Sequence, residues 1–327
     1  MAIPQGGALR PHVLIYPGRG KISLDEVTFP RSRAVFNGEQ QYAQTKYATI
    51  FTDGTSQGNA SAQAIQSSFD NDYAVIQGYF GGLALPPGQQ GDDQTTPRTA
   101  LPIQVLMDSQ AGGAYHFGCN ATDLYVEPDA SLAEGFAIAE LVEVFEAAIN
   151  NGWQCGQTNG EALSRVLAAD RAPGLNQLQV QTGKQWWADG NQDFVTNNSA
   201  TDQNTDSNGC GPLFLYYLHS QLGYDWRTIV TTGGSSLGDT YQKLTGKSPQ
   251  TGFEDFLSRL ATIASGSTLN LPASGDPFPI GQTTTPPTPT NTGGTTGGGA
   301  VNWIVVGIIA VVIVLIVIGV LIGTGHL

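Results

Sequence analysis

This chain of 327 residues has few charged side chains, and positive ones are the scarcest. Lys and Arg together number 14 against 27 Asp and Glu, which gives a formal net charge of −13. A nucleic-acid-binding protein needs clustered Lys and Arg to neutralise phosphates, so this balance argues against nucleic acid as a partner. The same shortage argues against adsorption to anionic lipid through a basic surface. We attribute the acidity to solubility.

Two sequence motifs are also missing, an apolar signal-peptide run at the start and a P-loop for nucleotide binding. The first ten residues, Met1 to Arg10, hold no apolar run of signal-peptide length. No Gly-x-x-x-x-Gly-Lys-Ser/Thr loop occurs, which argues against a P-loop nucleotide-binding protein. Candidate chemistry must therefore come from other residues.

Cysteine is scarce as well, with three residues in the chain: Cys119, Cys155 and Cys210. One disulfide with a free thiol and three reduced thiols both agree with this count. Cys155 and Cys210 border helices of the predicted core, so this pair is the candidate disulfide. Such a bond would favour an oxidising compartment.

The most informative feature that is present is one long apolar run, from Trp303 to Ile322, in which only Gly and Ala interrupt large side chains. At about 1.5 Å per residue, a helix of this length crosses the ~30 Å hydrocarbon core of a bilayer. The run predicts a single-pass C-terminal membrane anchor over residues 301–325, with the lipid bilayer as a partner. Gly319 and Gly323 form one Gly-x-x-x-Gly, which favours a homo-oligomer through paired helices.

The side of the membrane on which the rest of the protein lies stays open. A stalk rich in Thr, Pro and Gly covers 279–300, and glycosylation sequons occur at Asn59, Asn120 and Asn197. Both features are typical of surface-exposed proteins. The missing leader instead favours a cytoplasmic location.

Residues 1–278, here called the head, are predicted to form an α+β fold. Residues 1–127 hold short segments rich in Val, Ile, Tyr and Phe between Gly, Pro and Asn clusters, which is typical of strands. Residues 128–278 are predicted to be helical, and the two regions together form one globular head. Predicted strands cover 12–16, 34–36, 47–51, 73–79, 103–107, 115–119 and 123–126. Predicted helices cover 131–150, 160–169, 212–222, 226–231, 236–244 and 252–263, with Pro212 at a helix start.

Glutamates inside the first predicted helix need a partner, because a carboxylate in an apolar setting is costly unless it is paired, protonated or bound to metal. Glu140 and Glu143 lie three residues apart and therefore share a helix face. Glu161 opens the next helix after a turn that contains glycine. The two helices are expected to bring the three carboxylates together.

This segment resembles the metal-binding helices of the zincin metallopeptidases. The residues Ala139 to Glu143 align with the His-Glu-x-x-His motif, and Asn159-Gly160-Glu161 is similar to the later helix of the gluzincin branch. The resemblance implies a zincin-like scaffold, with Glu140 as general base and Glu161 at the position of the third zinc ligand. It also implies that residues 114–119 form the edge strand along which substrates lie.

Neither histidine of that motif is present, since alanine and glutamate stand in their places, so a standard zinc site is not expected. Three interpretations stay open. Glu140, Glu143 and Glu161 hold a harder cation such as Ca²⁺ or Mg²⁺. Alternatively, Glu161 pairs with Arg165 and the other two glutamates bond to the backbone or to His116. In the third interpretation, the match of a common Glu-x-x-Glu string is accidental.

A second polar cluster consists of Asp202, Asn204, Asp206 and Asn208. The alternation of Asp and Asn before a glycine resembles the first half of an EF-hand calcium loop. Leu215 stands where the bidentate acid is expected. The alternative is a plain turn in which these side chains cap their own backbone.

Taken together, these features predict a membrane-anchored surface or envelope protein. Its zincin-like head would be non-catalytic and would act in binding or structural display, and the sequence does not identify a protein or peptide ligand. The alternative is a membrane-anchored, peptidase-like hydrolase that uses Glu140 as general base with a non-standard metal site. Calcium is the candidate ion in either case.

Overall fold

The computed structural model describes residues 12–15, 40–91, 96–109, 111–199, 204–272 and 278. The chain separates into two compact units, Met1–Pro286 and Pro287–Leu327, and every described residue belongs to the first unit. Within the described ranges, no helix has both the length and the apolarity needed to cross a membrane. The predicted stalk at 279–300, the anchor at 301–325 and the Gly319/Gly323 motif lie outside these ranges.

Six strands and one helix form the first part of the described chain, and helices dominate the second part. The strands are β1 (His12–Ile15), β2 (Gln40–Gln44), β3 (Ala48–Thr52), β4 (Ile103–Met107), β5 (Gly113–His116), β6 (Asp123–Val126), β7 (Ala264–Ser265) and β8 (Thr268–Leu269). The helices are α1 (Ser56–Tyr79), α2 (Ala133–Ile149), α3 (Thr158–Arg171), α4 (Asn176–Ala188), α5 (Thr205–Tyr216), α6 (Trp226–Thr232), α7 (Leu237–Thr245) and α8 (Pro249–Ala261). A 3-10 turn at Pro173–Leu175 precedes α4, and a π-helical segment at Tyr217–Gln221 follows α5.

A six-stranded mixed sheet has the order β1-β5-β6-β4-β3-β2. The central strands β3, β4 and β6 run parallel, whereas β2 and β5 run antiparallel to their neighbours β3 and β6. β1 adds to the outer side of β5, also antiparallel, with His12 opposite His116. Strand β5 therefore has a neighbour on both sides.

Successive residues of a strand point to opposite faces of the sheet, and here they separate two apolar clusters. Val105 and Leu124 belong to the main core, whereas Leu106 and Tyr125 belong to a second cluster. Helix α1 packs on β2, β3 and β4, and α2 packs on β5, β6, α1 and α3. Because α2 has neighbours on several sides, nearly every residue from Ala133 to Glu146 is buried.

The coarse prediction of an α+β chain, with strands first and helices after, is confirmed. The predicted strands at 103–107 and 123–126 have the same bounds as β4 and β6. The predicted strand at 34–36 lies outside the described residues. Helix α4 was not predicted, because its buried positions include polar residues such as Asn176 and Gln179 and give no clear apolar stripe.

The predicted strand at 73–79 is wrong, since these residues form the end of α1. Ile65, Phe69, Tyr73 and Ile76 are buried along this helix at spacings of four, four and three residues, which is one helical face. The helix begins at a Thr55 cap, whose side chain accepts a hydrogen bond from the Gly58 N–H. The seven residues 73–79 contain only Tyr73 and Ile76 of these buried positions, which is too few to reveal the helical spacing.

The prediction that Pro212 starts a helix is also wrong, because α5 begins at Thr205 and contains the proline. A proline inside a helix cannot donate to the carbonyl four residues earlier, which is that of Asn208. The hydroxyl of Thr182 on α4 lies 3.3 Å from this carbonyl, and it also lies 3.0 Å from the carbonyl oxygen of Gln179 in its own helix. The packing of α4 against α5 thus brings one polar group to the carbonyl that Pro212 leaves without its helical donor.

Candidate functional site: a buried histidine and glutamate cluster

Three glutamates follow one face of α2. Glu140, Glu143 and Glu146 lie at steps of three residues, which places them along a single stripe. Each side chain is 1% exposed or less. Their burial follows from the position of α2 between the sheet, α1 and α3. Glu140 and Glu143 were predicted from the sequence and Glu146 was not, although the same spacing of three residues extends to it.

His116 faces this stripe from β5. Ala114 belongs to the main core and Tyr115 to the cluster on the other face, so alternation turns His116 toward α2. Its Nε2 lies 3.1 Å from Glu143 Oε2, and its Nδ1 lies 3.9 Å from Glu140 Oε2. A strand thus brings an imidazole next to two of the glutamates on α2.

Glu161 approaches from the first turn of α3. Its Oε1 accepts a hydrogen bond from the Gly156 N–H at 3.1 Å, and its Oε2 lies 3.5 Å from Arg165 Nη2. This close entry of α3 requires Gly160, because a Cβ there would stand 2.2 Å from the carbonyl oxygen of Gln154. Both Glu161 and Arg165 are 2% exposed, so the pair is enclosed.

We call His116, Glu140, Glu143, Glu146 and Glu161 the buried cluster. Burial lowers the pKa of His116 to about 4, against a smaller opposing effect of a hydrogen bond to the backbone at Ala121. The imidazole is therefore neutral at pH 7. A neutral imidazole is the form that binds a metal ion.

Glu146 is the most isolated member of the buried cluster. Its side chain is fully buried, and neither of its carboxyl oxygens has a hydrogen-bond partner among the described residues. Burial raises the pKa of Glu146 well above its ordinary value, and the charges of Glu143 and Glu161 raise it further. The protein interior therefore favours the protonated form of Glu146 more than water does.

The disulfide corrects the candidate pairing of Cys155 with Cys210. The structure joins Cys119 to Cys155, with 5.8 Å between their Cα atoms. Cys210 is a buried free thiol on α5, and burial raises its pKa. Cys155 lies beside the buried cluster: one ligand atom each from His116, Glu143 and Cys155 lie within 4.8 Å of one another. Sequence spacing carries no sign of this proximity.

The expected calcium loop is replaced by the start of a helix. Asn204 caps α5, and its side chain accepts hydrogen bonds from the N–H groups of Asp206 and Ser207. Asp206 and Asn208 lie inside the helix, so they do not alternate around a loop. Asp202 is outside the described residues. The geometry agrees with the alternative in which these side chains cap their own backbone.

Two cavities of the described part of the chain lie away from the buried cluster. One cavity of about 370 Å³ is lined by residues that include Leu85, Asn120, Thr122 and Val144. A second, of about 360 Å³, lies between α8 and the π-helical segment. Neither cavity is lined by a member of the buried cluster, whose side chains are all 2% exposed or less.

The sequence was also compared with known proteins. No protein-family model matches it, and no curated protein sequence does.

Proposed function

We propose that this chain is a membrane-anchored surface protein whose zincin-like head is non-catalytic and acts in binding or structural display. The observation that carries the proposal is the enclosure of the buried cluster. Glu140, the residue in the general-base position, is 1% exposed. A general base must come within hydrogen-bond reach of the substrate atom from which it takes a proton. The enclosed carboxylate offers a substrate no such approach.

The ligand set supports the same conclusion. Ala139 has no side-chain donor atom, and the imidazole of His116, which lies 3.1 Å from Glu143, is fully buried. A catalytic zinc site keeps one coordination position open for water or substrate. A site sealed by a sheet and two helices is instead typical of a structural centre.

The position of β5 in the sheet also supports a non-catalytic head. The zincin resemblance implies that a substrate would lie along β5 as an added strand. In this structure, β1 of the same chain already pairs with β5, from His12 opposite His116 to Ile15 opposite Gly113. An external peptide would have to displace β1 before it could pair there.

The membrane part of the proposal follows from the apolar run at Trp303–Ile322. A flotation experiment with liposomes tests it on the full-length chain. We expect the chain to float with the vesicles and to resist extraction at alkaline pH. A matched variant, Val312→Arg with Ile316→Arg, should lose flotation, because each central Arg costs about 2.5 to 3.5 kcal/mol in a spanning helix. Equal flotation of the two chains would refute the anchor.

A peptide-cleavage assay tests the absence of catalysis. The full-length chain in detergent would be incubated with a diverse peptide mixture, with and without added Zn²⁺ or Ca²⁺, and the products would be identified by mass spectrometry. We expect wild type and the Glu140→Gln variant to give the same product profile. Cleavage that occurs with wild type and is lost in Glu140→Gln would overturn the proposal.

One observation favours a second candidate, a hydrolase with a non-standard metal site. His116 Nε2 lies 3.1 Å from Glu143, so a nitrogen and an oxygen donor converge next to Glu140. In that case, Glu140 would act as general base on a water molecule. The cleavage assay separates the two candidates, because only the hydrolase requires the Glu140 carboxylate.

A further inference from the structure

Donor atoms of three different chemical types meet at one buried point. They come from His116 on β5, Glu143 on α2 and Cys155 in the segment between α2 and α3. Their ligand atoms lie within 4.8 Å of one another, and all three residues are buried. Cys155 is bonded to Cys119, so a fourth donor atom is held at the same place.

We propose that the Cys119–Cys155 disulfide is a redox gate on a zinc site: when the bond is reduced, His116, Glu143, Cys155 and Cys119 bind one Zn²⁺. The proposal goes beyond the function proposed above and does not rest on it. A structural zinc centre inside the head would be compatible with either candidate function.

Zinc binding requires that the Cys119–Cys155 disulfide is first reduced. A dithiol reductant transfers two electrons and two protons to the disulfide, which gives two cysteine thiols, while the dithiol is oxidised to its own disulfide. Zinc then binds the thiolates, and their two protons pass to solvent. The reverse step needs a disulfide oxidant, which accepts two electrons and two protons and becomes a dithiol, while the Cys119–Cys155 bond forms again and both zinc–sulfur bonds break.

The donor set favours zinc over calcium or magnesium. Zn²⁺ accepts imidazole nitrogen, thiolate sulfur and carboxylate oxygen together in a four-coordinate site, with bonds of about 2.0 to 2.3 Å. Ca²⁺ and Mg²⁺ take oxygen donors almost alone. His116 Nε2 and Glu143 Oε2, 3.1 Å apart, already have a separation that two ligands of one zinc ion can adopt with small adjustments.

Glu146 gives an independent reason to expect a cation at this place. It lies one turn beyond Glu143 on the same face of α2, fully buried, and its carboxyl oxygens have no hydrogen-bond partner among the described residues. Such a group is costly in a protein interior. A divalent cation at Glu143 would stabilise the neighbouring acid electrostatically.

The disulfide is also within reach of a reductant. Cys119 is only partly buried, whereas Cys155 is buried. The residue after Cys119, Asn120, is exposed and lines the cavity of about 370 Å³. Cys119 is therefore the side from which a small reductant would approach the bond.

Metal titration of the full-length chain in detergent tests the proposal. One sample is kept oxidised and one is reduced with a phosphine, and zinc is measured by elemental mass spectrometry after desalting. Co²⁺ serves as a spectroscopic substitute, since thiolate ligation gives a sulfur-to-cobalt charge-transfer band. We expect one zinc per chain in the reduced sample, at least tenfold weaker binding in the oxidised one, and the charge-transfer band only after reduction.

Matched variants assign the ligands. Cys210→Ala should keep reduction-dependent zinc, because Cys210 lies outside the site. Cys155→Ala should lose the zinc that depends on reduction, and Glu143→Gln should weaken binding in the reduced sample at least tenfold. Glu143→Gln keeps the disulfide and tests the site even if Cys155→Ala does not fold. Equal zinc in both redox states, no zinc after reduction, or unchanged binding in Glu143→Gln would each overturn the proposal.

Discussion

The imidazole of His116 lies 3.1 Å from the carboxylate of Glu143, although 26 residues separate them in the chain. One residue comes from an antiparallel strand and the other from the most enclosed helix of the head. The contact combines a histidine that burial keeps neutral with a stripe of buried carboxyl groups. Stability, redox state and ion binding of the head should all depend on this contact.

The number of accessible thiols should follow from the disulfide. In denaturant without reductant, one of the three cysteines should react with a thiol reagent, and all three should react after reduction. Cys210→Ala is the matched control, since it should leave no reactive thiol before reduction. A count of three in the unreduced wild type would contradict the Cys119–Cys155 bond.

Glu146 should make the head less stable as pH rises. Its pKa in the folded state is raised above the ordinary 4.5, so the folded chain keeps a proton that the unfolded chain releases. Stability should fall by about 1.4 kcal/mol per pH unit, from pH 4.5 up to the folded-state pKa. In the presence of chelator, Glu146→Gln should therefore melt higher than wild type at pH 8 and similarly at pH 4.5.

The control for this experiment is Glu254→Gln, on the exposed side of α8. It should change the melting temperature little, and by a similar amount at each pH. If Glu146→Gln lowered the melting temperature at pH 8, the carboxyl group would have to be charged and partnered in the folded state, against our assignment.

His116 should make the head less stable as pH falls. Burial lowers its pKa from 6.5 to about 4, so the unfolded chain takes up a proton in this window and the folded chain does not. Stability that is present above pH 6.5 is lost as pH falls to about 4, by about 3 kcal/mol. Urea unfolding measures the free energy of unfolding at each pH. Between pH 6.5 and pH 4, this free energy should fall by about 3 kcal/mol less in His116→Gln than in wild type. An identical pH profile in the two chains would mean that His116 is not buried as a neutral group.

A pair of glycine substitutions should have opposite effects. In Gly160→Ala, the added Cβ meets the backbone of Gln154 at 2.2 Å, so α3 must move away from the buried cluster. We expect a loss of about 2 kcal/mol or more. Gly78→Ala is the matched control, because its Cβ would point into open space on α1. There, alanine should stabilise the helix by about 0.5 to 1 kcal/mol. Both effects are measured by thermal melting.

Local patterns in the sequence were sufficient where the apolar pattern of an element is clear within its own segment. Helix α2 was predicted from a broad apolar arc, and its Glu140 and Glu143 were recognised as buried acids on one face. Strands β4 and β6 were predicted with their observed bounds. The 24-residue α1 was partly mistaken for a strand, because Tyr, Val and Ile at 73–79 favour β structure until the helical spacing of Ile65 and Phe69 is included.

The sequence by itself determined the α+β class, the acidic surface and the apolar run at 303–322. It also placed Glu140, Glu143 and Glu161 on helices. Composition and short-range periodicity are sufficient for these properties. Only the tertiary structure decided that His116 meets Glu143, that Cys119 pairs with Cys155, and that Glu146 is buried without a hydrogen-bond partner among the described residues. These relationships depend on which face a strand turns toward α2 and on how closely Gly160 lets α3 approach. Both are set by packing between segments that are distant in the chain, and no local pattern records them.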